Sequence, residues 1–575
     1  MPYILLLVLS FILMQKTICS PSLPPRACRC LPDGPCWPSA REWNVLNGTV
    51  SGHLFRLRPV GSVCHGAEYD EDVYEAVRVG SESALWRISQ PGALIVSNWE
   101  TLGSNGTCFI DTPREETCNQ GRIPDYLVLA ESARDVQGAV LFARRHNLHV
   151  VIRNTGHDGA GRSSGPGSLQ INTSRLKQIR FDDTFVPSGG RHSLGSAVTA
   201  GTGLLGIELL EAARTRGLNV VAGVGSSVGV TGGFLLGGGI GLLSPLHGLG
   251  SDNTLQFQVV TADVSLQLAS RNPDLFWALR GGGGGTFGVV VEATIRTFPE
   301  VPAILFTLSA NLTGETANRS IWDIKRQVAI LLPALKRQDD TTSAILVTGM
   351  DGDTANLSAR ILFPNRTDLP ATQAQFADFF DAIDALNLPY VSQFTVYPLV
   401  SAHLTQPVAL RGNYGRVEGS VLISESLFLA PNGTSIIFNL LADLDYEPGD
   451  NIEYLMAAGG QVKANKGIVE SALLPSWRDS ALLISLRRIL PATSTAKTLV
   501  NNPLPRLRAL ETPWLGSYLN VGDPEQPDFQ EAFWGVNYER LQRVKRRWDR
   551  DSLFIVHMGV GSEGWDQEGI CWRRV

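Results

Sequence analysis

The strongest constraint on this 575-residue chain is the placement of its 58 glycines, which crowd between Gly201 and Gly288. A glycine has no Cβ, so successive backbone N–H groups can approach an anion closely and enter turns closed to other residues. The run from Val228 through Gly229, Thr231, Gly232, Gly233, Gly237, Gly238 and Gly239 to Gly241 therefore predicts a backbone surface laid against a ligand. The chain is longer than one hydrophobic core usually organises, so two packed lobes with appendages are expected. A net charge of −6 gives no general attraction to phosphate backbones or anionic lipid, and nucleic acid is not an expected partner.

Ile4 to Met14 is an apolar run of 11 residues followed by Gln15 and Lys16. It is too short to cross a bilayer of about 30 Å as a helix and reads as a signal peptide over residues 1–20. No later segment has 18 uninterrupted apolar residues, so no membrane association is expected after cleavage. N-glycosylation acceptors stand at Asn47, Asn105, Asn172, Asn311, Asn318, Asn356, Asn365 and Asn432. With Cys28, Cys30, Cys36, Cys64, Cys108, Cys118 and Cys571, they predict a secreted glycoprotein whose residues 21–120 form a Cys/Pro-rich, disulfide-stapled segment. Cys108 and Cys118 would close a short loop, pairing among the earlier cysteines stays open, and Cys571 is the expected free thiol. C-x-C-x5-C lacks the paired spacing and nearby His of a zinc site, so no metal is expected.

Further on, the chain reads as α/β. Ser132 with Asp135 starts a helix whose inner face carries Val136, Val140 and Leu141. After Asn147, His149 to Arg153 is a short buried strand that delivers Asn154, Thr155, Gly156, His157 and Asp158 to its carboxyl end, where α/β sheets hold ligands. A second strand, Ser196 to Ala200, leads into Gly201-Thr202-Gly203-Leu204-Leu205-Gly206, literally G-x-G-x-x-G. A nicotinamide Rossmann unit would need an acid about 20 positions on, and Val220 to Gly225 contains none. Gly161 to Gly165 and Gly225 to Gly229 each match G-x-S-x-G, yet both serines lie in glycine-rich loops without the helix start that a hydrolase elbow requires.

Three blocks together carry a resemblance to the FAD-linked oxidases of the vanillyl-alcohol oxidase type, and more closely to their berberine-bridge-enzyme-like branch with its secreted fungal oxidases. The first is Arg153 to Asp158. The second is Val228 to Val290, including Asn272-Pro273-Asp274-Leu275-Phe276-Trp277-Ala278-Leu279-Arg280. The third is Tyr518-Leu519-Asn520 with Phe533 to Tyr538 and Val560 to Trp565. Cys28 to Pro38 is similar to fungal oxidases of the isoamyl-alcohol-oxidase kind.

The resemblance implies an α+β fold: a PCMH-type FAD-binding domain of two subdomains over 121–300, a substrate domain with an antiparallel sheet covered by helices over 301–510, and a berberine-bridge-like segment over 511–575 that completes the FAD site. It implies FAD held covalently through His157 alone, because Gly225 stands where bicovalent members carry a Cys. Arg153, Asn154, Thr155, Gly156, Asp158, Gly229, Thr231, Gly232, Gly238, Gly239, Gly241, Asp252, Asn253, Asn537 and Tyr538 are the further cofactor-binding residues it implies. The implied reaction is oxidation of an alcohol or similar group by hydride delivery to flavin N5, with Tyr518 as base and O2 as final acceptor. The implied setting is fungal secondary metabolism, with an extracellular carbohydrate oxidase as the alternative and a serine hydrolase or a noncatalytic flavin-fold binding protein as readings from other classes.

Overall fold

The computed structural model describes residues 28–101, 108–405, 415–490, 499 and 503–573, so the signal segment, Cys19 and Asn105 lie outside the described residues. The first α/β unit folds as its sequence predicts in its elements, but the inner face of its helix carries Val136, Ala139, Val140 and Ala143, while Leu141, one position round from Val140, is only half-buried. Ser132 and Asp135 form a reciprocal capping box, the helix runs Ala133–His146, and Asn147 ends it with a left-handed φ of 51°. The strand His149–Arg153 then pairs in parallel with Ser168–Asn172, which also pairs in parallel with Tyr126–Leu129. With Leu54–Arg56 at one edge, this four-stranded sheet has the helix's inner residues, Val136 and Val140, packed against Val128, Val150 and Ile171.

A five-stranded antiparallel sheet follows, in the order Ile179–Asp182, Ala197–Gly201, Val289–Arg296, Thr254–Val260, Leu266–Leu268. The G-x-G-x-x-G glycines belong to its packing. A Cβ at Gly201 would lie 2.2 Å from the Leu176 carbonyl oxygen, and one at Gly203 would lie 2.3 Å from that of Ser174. These glycines let two backbones touch.

Residues 303–490 build a second layer, a seven-stranded antiparallel sheet ordered Val391–Tyr397, Ala303–Thr313, Thr354–Pro364, Ser343–Asp351, Asp450–Met456, Ser480–Leu490, Gly415–Ser424. Side chains alternate across it. Phe306, Leu346, Ile361 and Tyr454 face Ala317–Gln338 and the other helices, while Leu305, Ile345, Leu362 and Leu455 face the first lobe. An antiparallel sheet with helices over one face is thus present as expected.

The tail returns to the first lobe. Trp534 Nε1 donates to the Gly281 carbonyl at 2.9 Å, and the buried Lys545 ammonium donates to the carbonyls of Thr286 and Phe554 and to Asp549. Disulfides join Cys28 to Cys571, Cys30 to Cys36, and Cys108 to Cys118. The last is the expected loop; Cys571, however, is not free. Among the described residues the unpaired thiol is the buried Cys64, because the tail brings Cys571 alongside Cys28 in an isolated bridge.

Of the glycosylation acceptors, Asn311, Asn318, Asn356, Asn365 and Asn432 are exposed and Asn47 is half-buried. Asn172 is not an available acceptor: it is 2% exposed inside a strand, with its amide directed to Gln170.

Replacing Cys28 and Cys571 with serine removes the cross-link between the two ends of the described chain and should cost about 2–5 kcal/mol of stability. Urea denaturation of the double variant beside the parent checks this.

Candidate active site

The loop after Arg153 opens into a cavity of about 1160 Å³ between the first lobe, the seven-stranded sheet and the tail. Ordinary ligand pockets span about 300–1,000 Å³, so this one has room for a dinucleotide and a second molecule. Asn154, Thr155, Gly156, His157 and Asp158 line it in series. Gly156, with φ of 74°, makes the turn.

Opposite stands the glycine segment. Gly229, Gly232 and Gly233 line the cavity, and a Cβ at Gly229 or Gly232 would fall 2.5 or 2.6 Å from the Asn154 amide nitrogen. Both polar atoms of the Asn154 side chain are buried without a hydrogen-bond partner, although buried polar groups are ordinarily paired. An orphaned amide in a cradle of bare backbone fits a phosphate-bearing dinucleotide such as FAD. Asn154 and the Gly229–Gly233 backbone would hold its polar part, and His157 would face its ring system.

Burial, helped by the positive charge of Arg416, lowers the His157 pKa to about 4. The imidazole is therefore neutral at physiological pH and keeps a free lone pair. A Cβ at position 225 would lie 4.0 Å from His157 Nε2 and 3.2 Å from Val228 Cγ2, so Gly225 stands directly beside this histidine with the Val228 side chain against it. Asp158 remains charged: burial opposes its ionisation, but Arg162, 2.6 Å away, holds its carboxyl below the usual range.

Tyr518 closes the other end. It is buried, its ring meets Trp477 edge-on at 5.4 Å, and its backbone N–H donates to Ser420 Oγ. The Asn520 amide donates to its hydroxyl oxygen at 2.9 Å, and the Gly239 and Ile240 backbone bonds to the same oxygen. Burial raises the Tyr518 pKa against these donors, so the phenol keeps its proton at neutral pH.

Several residues assigned by resemblance do not line the cavity. Arg153 turns away: its guanidinium donates to the carbonyls of Arg87, Ile88, Gln90 and Pro91, tying down the end of the helix Ala84–Ser89. Asp252 is a buried partner of Arg478 at 2.6 Å, joining the two lobes, and Asn253 caps the carbonyls of His247 and Leu249. Thr231 donates to the Gly201 carbonyl, and Gly241 packs against the Ala222 carbonyl. Gly238 and Gly239 act through Tyr518, the first beneath its ring and the second at its oxygen. Asn537 donates to the Leu473 carbonyl, fastening the tail to the chain ahead of the strand Ser480–Leu490, and Tyr538 donates to Glu563 within the tail's own packing. Of the serines in the two G-x-S-x-G matches, Ser227 has no base beside it: its hydroxyl is buried without a partner.

The sequence reading missed the sheet-side wall, which carries Arg360, Arg416, Glu418, Asn451, Glu453 and Arg487 beside Ile345, Val347 and Leu455. Glu418 is 4% exposed and clamped by Arg416 at 3.1 Å and Arg487 at 3.2 Å. Burial disfavours its charge, yet the two arginines hold its pKa below the usual value. The available signal was a charge at alternate positions of otherwise apolar strands.

Two lobes around a glycine-cradled dinucleotide cavity, closed by a tyrosine from the tail, define a flavoprotein oxidoreductase. The FAD binding domain family matches residues 124–268, and the berberine and berberine-like family matches residues 517–561. The chain is 52% identical over 538 residues to the flavin-dependent oxygenase ucdF of Aspergillus ustus, covering 92% of this chain and 98% of that one. It is 40% identical to the FAD-linked oxidoreductase malF of Malbranchea aurantiaca, covering 95% and 94%. Among solved structures, the VAO-type flavoprotein MtVAO615 from Myceliophthora thermophila C1 superposes with a TM-score of 0.82 at 30% identity, covering 95% and 100%. Berberine bridge enzyme from Eschscholzia californica, at 17% identity and a TM-score of 0.64 over 90% and 98%, shares the fold. The chain belongs to the FAD-linked oxidoreductases of the VAO and berberine-bridge-enzyme-like family.

Gly229→Ala should lose most of the flavin absorbance per folded protein, because its methyl occupies the space of the Asn154 amide. Asp252→Asn should retain the flavin while destabilising the fold by about 3–5 kcal/mol, since it leaves Arg478 without its buried counter-charge. Absorbance ratios and melting curves of the two variants separate these outcomes.

Proposed function

We propose that this protein is a secreted, monocovalent FAD oxidase that removes hydrogen from an alcohol or similar group of a secondary metabolite. The observation that carries this reading is the span of one cavity from a neutral His157 to the Tyr518 hydroxyl. FAD, when bound, supplies the two-electron acceptor, with molecular oxygen as the assigned final oxidant.

His157 is the attachment residue, its lone pair available because burial holds it unprotonated above about pH 4. Tyr518 is the proton acceptor: the donors on its oxygen from Asn520, Gly239 and Ile240 stabilise the phenolate that proton transfer requires. The seven-stranded sheet excludes water from the opposite side and presents the substrate. Three disulfides and the exposed acceptors Asn311, Asn318, Asn356, Asn365 and Asn432 support a route through the secretory pathway.

Acid precipitation tests the attachment. Yellow colour should stay with the denatured protein and pass to the supernatant in His157→Ala; colour released from the unaltered protein would refute the linkage.

A raised phenol pKa has a definite sign for catalysis. The phenolate form grows as pH rises, so kcat/KM should climb with pH toward a limb above the ordinary tyrosine value of about 10. Tyr518→Phe should abolish that limb and lower kcat by about 10²–10⁴-fold. A limb that survives in Tyr518→Phe would remove the base assignment.

A further inference from the structure

The charged wall of the cavity is not balanced. Three guanidiniums and two carboxylates line it on the sheet side: Arg360, Arg416, Arg487, Glu418 and Glu453. Four of them form one chain, Arg416 to Glu418 at 3.1 Å, Glu418 to Arg487 at 3.2 Å, and Arg487 to Glu453 at 3.7 Å. Arg360 stands outside that chain and makes no ion pair among the described residues. Burial lowers its pKa, and the one opposing charge acting on it is Glu453, which Arg487 already engages. A partly desolvated guanidinium without a counter-ion is costly to keep unless a ligand completes it.

The register places Arg360 in relation to the rest of the site. Arg360 pairs across strands with Ile345, and Ile345 pairs with Leu455. With Val347 these two residues form an apolar strip on the cavity wall, and they share a packed cluster with Tyr518. Two strand spacings separate Arg360 from Leu455, roughly 10 Å at about 4.8 Å per spacing, the breadth of a ring-sized apolar body.

From this arrangement we infer that Arg360 is the specificity-determining anchor for a carboxylate on the substrate. The substrate's apolar body lies on Ile345, Val347 and Leu455, and its reacting group lies toward Tyr518. The planar fork of the guanidinium matches a carboxylate in two parallel hydrogen bonds, which a hydroxyl or amide cannot reproduce. The inference rests on the oxidoreductase reading only for the position of the reacting group; the preference for an anion is a property of the wall.

The test uses the flavin-loaded protein and three ring-sized probes that contain no alcohol: 4-methylbenzoate, 4-methylbenzamide and 4-methylbenzylammonium. Binding is read from the shift of the flavin absorbance band, so turnover plays no part. The benzoate should bind at least tenfold more tightly than the isosteric amide, and the ammonium should bind weakest. Arg360→Gln should erase the tenfold preference while leaving the amide's affinity unchanged, and Arg360→Lys should restore part of it. No binding by the benzoate, equal binding of benzoate and amide, or a preference that survives in Arg360→Gln would overturn the inference. The comparison among probes in the unaltered protein stands even where the glutamine variant fails to fold. Failure of the oxidase reading would show separately, as flavin that no alcohol reduces.

Discussion

Everything in the cavity depends on two stretches of backbone lying closer together than a Cβ would permit. Asn154 reaches Gly229 and Gly232 at distances that a single methyl would forbid, and its amide is left unpaired among them. That contact sets how far the loop 154–158 stands from the glycine segment, and so sets the gap into which a dinucleotide can slide. The same segment continues to Gly239 and Ile240, whose backbone bonds to the Tyr518 hydroxyl. One glycine-rich stretch of sequence thus borders both the Asn154 end of the cavity and the Tyr518 end.

The electrostatics divide the cavity in a complementary way. On the first-lobe side the groups are neutral or internally paired: His157 carries no charge, and Asp158 is matched by Arg162. On the sheet side charges crowd together, buried and mutually dependent, with Glu418 ionised because two arginines hold it so. A side chain of Glu418's burial could not remain charged with one of them alone at so low a cost. The two walls therefore differ in character, one lined by bare backbone and neutral or paired groups, the other by a cluster of interdependent charges.

Much of this was legible in the sequence, and the limits are physical. Ser132, Asp135 and Asn147 carry their own capping chemistry, so the helix and the strand after it could be read with their ends. The loop to His157 followed from strand direction, and the glycine run declared a close approach. The side-chain partners of Arg153, Asp252 and Asn537 were not legible because a motif records neighbours along the chain, whereas these partners lie 60 to more than 200 residues away. The charged wall was missed for a related reason. Arg360, Arg416 with Glu418, Glu453 and Arg487 are spread over four strands, and they become a group only through the order of the sheet.

The bond between Cys28 and Cys571 has a consequence for how the site comes into being. Residues 517–571 provide the tyrosine wall, the Trp534 and Lys545 fastenings and the closing sulfur, so a nascent chain stopped short of them has a trough where the finished protein has a chamber. The chamber is a product of closure of the whole loop, not of any one lobe. Removing these fastenings would open the cavity on its tyrosine side, so its walls depend on contacts made far from the cavity itself.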